Sequence, residues 1–439
     1  MPSTVKESTT DNKSVKSYVG IVNAKSDARS ELLFIIALLL VSALYQIDRI
    51  LPFILAESIK SELSLSDTQI GLMIGPAFAL CNALFSLPLA RAADRTSPRL
   101  VLVGCLVVWS AMTAMGGLAT SFVFLAATRF GVALGEAGAI PAGHALIARK
   151  IHPDRRGFAL ALFSMGIPLG TMAGFAAGGV IADGLGWRAA LFGAGAAGVV
   201  LSIVALLAIG PIPASGPVLA SEEPFVRASR RLLSAPAFRW MALAAIGIGF
   251  ASAPFYAFSA PFLIRNHGFS ASQVGLAFGL LQGGMGIVGT LLGGRMFDRA
   301  VLRGSGRLLG PPALILIIAS ITTTLALFVP VGWVSIALLV PGMLSFAFAM
   351  PASFGAGHLL AGPGRQALAS SLLLISSGLL GPTIGPLFVG VVSDWANEAG
   401  VANGLGLGLL IVPIASVLSG LALLVANGRV AAHLRRAEP

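Results

Sequence analysis

Charged side chains are scarce in this chain: Asp, Glu, Lys and Arg make up 11% of its 439 residues, where soluble domains carry about a quarter. Hydrophobic residues make up 56%, so a water-soluble fold would have almost no polar residues left for its surface, and that class is excluded. Cysteine is nearly absent. The two present, Cys81 and Cys105, both fall in apolar runs, which argues against a disulfide framework. Catalytic signatures are missing: there is no Gly-x-Ser-x-Gly, no His-Glu-x-x-His and no phosphate-binding loop. The histidines at 144, 152, 267, 358 and 433 are scattered without ligand spacing, so neither a metal centre nor an enzyme is expected. His144, two turns beyond Glu136, reads as a hydrogen-bonded core histidine ahead of a proton-relay residue.

What the chain does have is apolar runs long enough to cross a bilayer, which takes about 20 residues as a helix. Barrel strands would be short and alternating, whereas these runs are long and continuous, so an all-α membrane protein is expected. Twelve spans are predicted, near 30–57, 67–90, 98–119, 121–149, 154–182 and 187–212, then 237–264, 271–295, 307–329, 332–360, 364–393 and 402–427. Residues 1–29 are polar, lack a cleavable apolar segment and read as a disordered tail. Residues 30–212 and 237–428 form two halves, joined by a Pro- and Ser-rich linker at 213–236, with a short tail at 429–439.

Basic residues set the orientation. Lys60, Arg188 and Arg265 fall in loops on one side, Arg49 and Arg129 lie inside spans, and the remaining 24 of 29 fall on the side of the termini and linker. That side is therefore expected to be cytoplasmic, in a cell (inner or plasma) membrane, and the net charge of +11 reads as a topology signal, with no nucleic acid as partner. The halves also repeat. "LSLSDTQIGL" (63–72) recurs as "HGFSASQVGL" (267–276), and "ARAADR" (90–95) as "GRMFDR" (294–299), both at an offset of 204 residues. Two matches in one register imply duplication into parallel six-helix halves related by an axis along the membrane normal. Such an arrangement resembles the major facilitator architecture, whose halves rock about a site at mid-membrane.

Four charges stand inside spans 1 and 4. "YQIDR" places Asp48 and Arg49 late in span 1, and "RFGVALGEAG" places Arg129 and Glu136 in span 4. Seven residues on a helix share nearly one face, so Arg129 and Glu136 lie about 10 Å apart along the axis. Each unpaired charge would cost roughly 2.5–3.5 kcal/mol at a span centre, so the four are expected to pair around a water-filled cavity. Asp48 and Arg49 point about 100° apart, so they are expected to make two separate contacts within the cluster. A purely structural charge network is the competing reading. The second half holds no acid within a predicted span; it offers Phe255, Tyr256 and Phe258 in span 7 and Phe346 and Phe354 in span 10 as an aromatic lining. Lipid-facing phenylalanine would account for at least half of these. The glycines of spans 5 and 11, Gly170, Gly174, Gly178, Gly381 and Gly385, read as close-packing residues.

"ARAADRTSPR" (90–99) resembles the signature loop between helices 2 and 3 of the major facilitator superfamily, with Ala90 and Ser97 in place of its two glycines. The resemblance implies that Asp94 caps a helix of the opposite half and that Arg95 and Arg99 join an inter-half network when the cytoplasmic side closes. Asp298 and Arg299 would be the second copy. "YQIDR", "SDTQIGL" and "RFGVALGEAG" together resemble the spinster branch, bacterial members included, across residues 30–430. That branch is similar to exporters of sphingosine-1-phosphate and lysophospholipids. It implies a monomeric, alternating-access transporter of an amphipathic anion, driven by a proton gradient without a cofactor, among membrane lipids. Asp48 and Glu136 would couple protons, while Arg49 and Arg129 would serve as charge partners or substrate ligands. Hexuronate and aromatic-acid carriers share similar motifs, so a small organic acid is the alternative substrate.

Overall fold

The computed structural model describes residues 11–210, 225–304, 306–362 and 366–437; the side chains of 11–29, of 433–437, of Asp94 and of a few others lie outside the described residues. Every regular element among the described residues is helical. Among the described residues, twelve helices are long and apolar enough to cross a membrane: Ser30–Ile54, Asp67–Ala93, Pro98–Gly116, Phe122–Lys150, Asp154–Leu185 and Trp187–Ile209 (spans 1–6), then Pro236–His267, Ala271–Leu302, Gly310–Phe328, Gly332–Ala361, Leu368–Glu398 and Gly404–Ala432 (spans 7–12).

Most ends fall within a few residues of the predicted ones. Spans 8 and 11 run longer, to Leu302 and Glu398, because a charged residue ends a hydropathy window without ending a helix. Asp298, Arg299 and Asp394 therefore lie in helices, and the expectation that the second half has no acid within a span is corrected. "ARAADR" is likewise the end of a helix, Pro76–Arg95, and not a loop. Helix also reaches back to Asp11, into the segment read as a disordered tail, and the linker carries a helix at Phe225–Ser234 with Leu232 buried. Several spans are interrupted. Span 2 breaks at Gly75, ahead of Pro76; span 4 breaks at Ala137–Gly138, directly after Glu136; span 11 breaks at Leu379.

With six spans in each half, the starts of spans 1 and 7 and the ends of spans 6 and 12 share one end of the bundle, here termed the linker side; the opposite end is the distal side. One hydrophobic core lies wholly within the first half, around Phe34, Leu106 and Trp109. The other joins the halves: Ile50, Leu51, Ile54, Leu55, Ile70 and Met73 of the first half share it with Ala251, Phe255, Phe258 and Phe278 of the second. The first-half members fall toward the distal ends of their helices, so the halves meet most closely there.

The repeated sequence explains how they meet. In both copies Ser and Gln form a reciprocal capping box: Ser66 with Gln69 opens span 2, and Ser270 with Gln273 opens span 8. The matching glycines let these helices touch the opposite half. A Cβ on Gly71 would lie 2.4 Å from the Pro386 carbonyl oxygen, and one on Gly275 would lie 2.2 Å from that of Phe175. The packing glycines behave as expected, with Gly170 and Gly174 against span 1 and Gly381 and Gly385 against span 7.

Overpacking of this kind costs about 1–3 kcal/mol. Gly275→Val is therefore expected to lower the unfolding temperature in detergent, whereas Gly284→Ala, with nothing within 4 Å of its added Cβ, should leave it nearly unchanged.

Candidate functional site

Span 1 packs against span 5 and span 4 against spans 2 and 3, which brings the four intramembrane charges together inside the first half. Arg49 Nε donates to Glu136 Oε2 at 3.1 Å. Glu136 is wholly buried, while the Arg49 side chain keeps 35% of its surface exposed. Arg49 is thus the member of the cluster that reaches open space. Its guanidinium also lies over the rings of Tyr45 (5.0 Å) and Phe78 (4.7 Å), and that of Arg129 lies 5.2 Å from the same Phe78 ring. Two cations sharing one ring face a favourable quadrupole in a site with little water.

Asp48 does not join the ion pair. Arg129 donates to the Asp48 main-chain oxygen at 3.4 Å, and the carboxylate turns toward Thr113 and Trp109 of span 3. Both Asp48 oxygens, the Thr113 hydroxyl, the Trp109 indole nitrogen and Glu136 Oε1 are buried without a hydrogen-bond partner in the protein. The expectation of two contacts from the Asp48–Arg49 dipeptide holds in direction, but only Arg49 reaches an opposite charge on span 4. The cluster is one ion pair plus a buried acid and a buried arginine, not two matched pairs.

In the second half, Phe255, Tyr256 and Phe346 pack edge to face with centroids 5.5–6.0 Å apart, the geometry aromatic quadrupoles favour. A cavity of about 220 Å³ opens beside them, lined by Ile248, Ser252, Tyr256, Phe346, Ala347, Met350 and Ser377. Of the five aromatic candidates, Tyr256 and Phe346 line it. Phe255 stands behind them, buried and in contact with Phe278. Phe258 is a core residue and Phe354 packs at the core's edge; the helical period turns Phe258 away from the lining, whereas Phe354 continues the face of Ala347 two turns farther along span 10.

Among the described residues, those of the signature segment do not join the halves in this structure. Arg99 donates to the Leu206 carbonyl oxygen of its own half at 2.5 Å, and Arg95, Asp298 and Arg299 are exposed. The Asp94 side chain lies outside the described residues. Inter-half hydrogen bonds cluster instead on the distal side. There Arg265 of span 7 donates to Asp67 (2.7 Å) and to Glu57 (2.6 Å), while Lys60 and Ser393 also donate to Asp67, at 2.5 and 2.7 Å.

Sequence reasoning missed Phe78, Tyr45, Thr113, Trp109 and this distal cluster. Tyr45 was within reach, because it stands four residues before Arg49, one helical turn away. Asp67 was visible as a position where one repeat carries an acid and the other does not, aligned with Ala271 in the second copy. Nothing in the sequence singles out Phe78.

The Major Facilitator Superfamily model matches residues 36–386. An "MFS-type efflux pump" of Mycolicibacterium smegmatis (strain ATCC 700084 / mc(2)155) is 37% identical over 392 residues, 87% of this chain and 89% of that protein. Among solved structures, a bacterial homologue of the human lysosomal transporter Spinster, inward-facing and unoccupied, superposes with a TM-score of 0.78 at 26% identity, over 92% of this chain and 97% of that one. A D-xylose–proton symporter, at 15% identity, TM-score 0.70 and 89% and 97% coverage, shares the fold. The chain belongs to the Major Facilitator Superfamily, as a multi-pass membrane transporter of spinster-like type.

Proposed function

We propose that the protein is a proton-coupled, alternating-access carrier of an amphipathic organic anion of the lysolipid kind. The observation that carries this reading is the division of labour between the halves. Arg49, the partly exposed arginine of the intramembrane cluster, stands on the first half, and an aromatic-lined cavity of about 220 Å³ stands on the second. An anionic head would meet Arg49, which already holds a planar, charge-assisted bond geometry toward Glu136. An acyl or sphingoid tail would enter the cavity beside Tyr256 and Phe346. The linker side would be cytoplasmic, following the basic residues, and the efflux role of the 37%-identical relative supports an outward direction of transport.

Asp48 is the proposed proton carrier and Glu136 its partner in coupling. A buried acid whose oxygens are bonded to no other protein group exchanges a proton without dismantling the fold. Protonation of Glu136 would weaken its hold on Arg49 and release that side chain toward the substrate head. Binding the anion to Arg49 and the proton to the acids would then be linked through one guanidinium. The competing structural reading explains less, because an apolar core would fill the same space at lower desolvation cost.

One observation favours a second reading. The cavity is smaller than the roughly 300 Å³ at which ordinary ligand pockets begin, which suits a hexuronate or aromatic acid bound by Arg49 or Arg129. Thermal-shift measurements separate the two: lysophospholipids are expected to raise the unfolding temperature and short organic acids to leave it unchanged. The reverse pattern would select the second reading. Arg49→Gln should weaken binding of the anionic ligand at least about tenfold, the loss of one charge-assisted hydrogen bond, measured by titration of purified protein. In proteoliposomes, Asp48→Asn should retain substrate binding but lose dependence of transport on an imposed pH gradient. Transport that kept its full pH response would remove Asp48 from the coupling role.

A further inference from the structure

The two halves are joined on the distal side by a pair of matched carboxylate caps. Asp394, near the end of span 11, accepts the main-chain N–H of Asp67 (2.9 Å) and of Thr68 (2.7 Å), one on each carboxylate oxygen. Asp183, near the end of span 5, does the same to Ala271 (3.2 Å) and Ser272 (2.7 Å). Spans 5 and 11 are counterparts under the internal repeat, as are spans 2 and 8, so these are two copies of one contact.

The first turn of a helix has N–H groups without an intrahelical acceptor, and the repeat shares them out between the halves. In span 2 the capping box takes two: Gln69 Oε1 accepts from Ser66 N, and Ser66 Oγ accepts from Gln69 N. That leaves the N–H groups of residues 67 and 68, the pair that Asp394 takes. In span 8 Ser270 and Gln273 take the outer two in the same way, leaving 271 and 272 for Asp183. Neither half can satisfy its own helix start. Each start is completed by an acid of the other half, at a helix end whose dipole favours negative charge.

The approach is close enough to need small residues. A Cβ on Gly390 would lie 2.2 Å from the Asp67 carbonyl oxygen, and one on Gly179 would lie 2.2 Å from that of Ala271. The two seams nevertheless differ. At the span 2/span 11 seam the capped residue is itself an acid, Asp67, buried and held by Arg265, Lys60 and Ser393. At the span 5/span 8 seam its counterpart is Ala271, and the Asp183 cap is exposed.

We propose that Asp183 and Asp394 are reorientation residues, a matched pair that holds the distal side shut by completing the opposite half's helix starts. The Asp67–Arg265 cluster makes the Asp394 seam the stronger of the two. Opening the distal side must break both caps at once and the ion cluster with the second. The inference rests on the geometry of the halves and not on the identity of the substrate.

The test is the distance between the short distal helix Ala56–Leu63, which leads into span 2, and the distal end of span 11, in protein lacking Cys81 and Cys105 and carrying spin labels at Ser61→Cys and Glu398→Cys. In lipid nanodiscs the parent protein should show mainly the short distance of the closed form. Asp183→Ala and Asp394→Ala should each raise the fraction at longer distance between about five- and thirtyfold, as loss of a helix cap implies, with the larger effect from Asp394. Asparagine at either position, which keeps one acceptor without the charge, should give an intermediate shift. If an alanine variant does not fold, the Asp183→Asn/Asp394→Asn double variant is read in its place and must still lengthen the distance. Distances unchanged from the parent in folded variants would overturn the proposal. Because the readout is conformational, it stands or falls separately from the substrate and proton assignments.

Discussion

The pair formed by Arg49 and Glu136 at 3.1 Å is the contact around which the first half is arranged. Glu136 is wholly buried in a segment otherwise built for hydrocarbon, and an unpaired charge there would cost several kcal/mol. Satisfying it fixes the rotation of span 1 against span 4. With Arg49 committed to span 4, its neighbour Asp48 points elsewhere, toward Thr113 and Trp109 of span 3. The helix break after Glu136 and the Phe78 ring shared by two guanidinium groups both belong to the same arrangement. Arg49 alone keeps contact with open space, so any ligand that senses this half senses it through that residue.

The second half answers with different chemistry. Its interior lining is aromatic and hydroxyl-bearing, Tyr256 and Phe346 with Ser252 and Ser377, and its Asp394 sits near the end of a helix, where it serves a contact between the halves. Duplicated halves have thus diverged inside while keeping their contact surfaces. The capping boxes, the close-approach glycines and the two acid caps persist in both copies, as a shared rocking motion requires. Among the described residues, Arg95, Asp298 and Arg299 of the signature segments are exposed and Arg99 bonds within its own half, whereas the distal side carries the bonds between the halves.

The twelve spans, the duplication and the four intramembrane charges were legible in the sequence because each depends on composition or on period. Hydropathy reports that a helix is buried in lipid, and a seven-residue spacing reports a shared face. Neither reports how one helix is rotated against another, which is why the ion pair was resolved to Arg49 and Glu136 only by the structure, and why Phe78 and Trp109 went unseen. The repeat around Ser66 and Ser270 was legible as a duplication, yet its purpose was not, since a cap's partner lies more than 300 residues away at Asp394. Helix ends were the weakest part of the reading. Asp394 and Asp298 fell outside predicted spans because charge ends a hydropathy window before it ends a helix. Aromatic content is visible in a sequence and direction is not, so Phe258 counts as a lining candidate until the structure places it in the core.

The central claim is that one ligand bridges the two halves, head on Arg49 and tail beside Tyr256 and Phe346. A map of the protein saturated with a lysophospholipid brominated near the end of its acyl chain tests it most directly. The account predicts a bromine peak among Tyr256, Phe346 and Met350, with the phosphate within hydrogen-bond reach of the Arg49 guanidinium. A bromine peak beside Arg49, or an aromatic cavity that stays empty at saturating ligand, would contradict it.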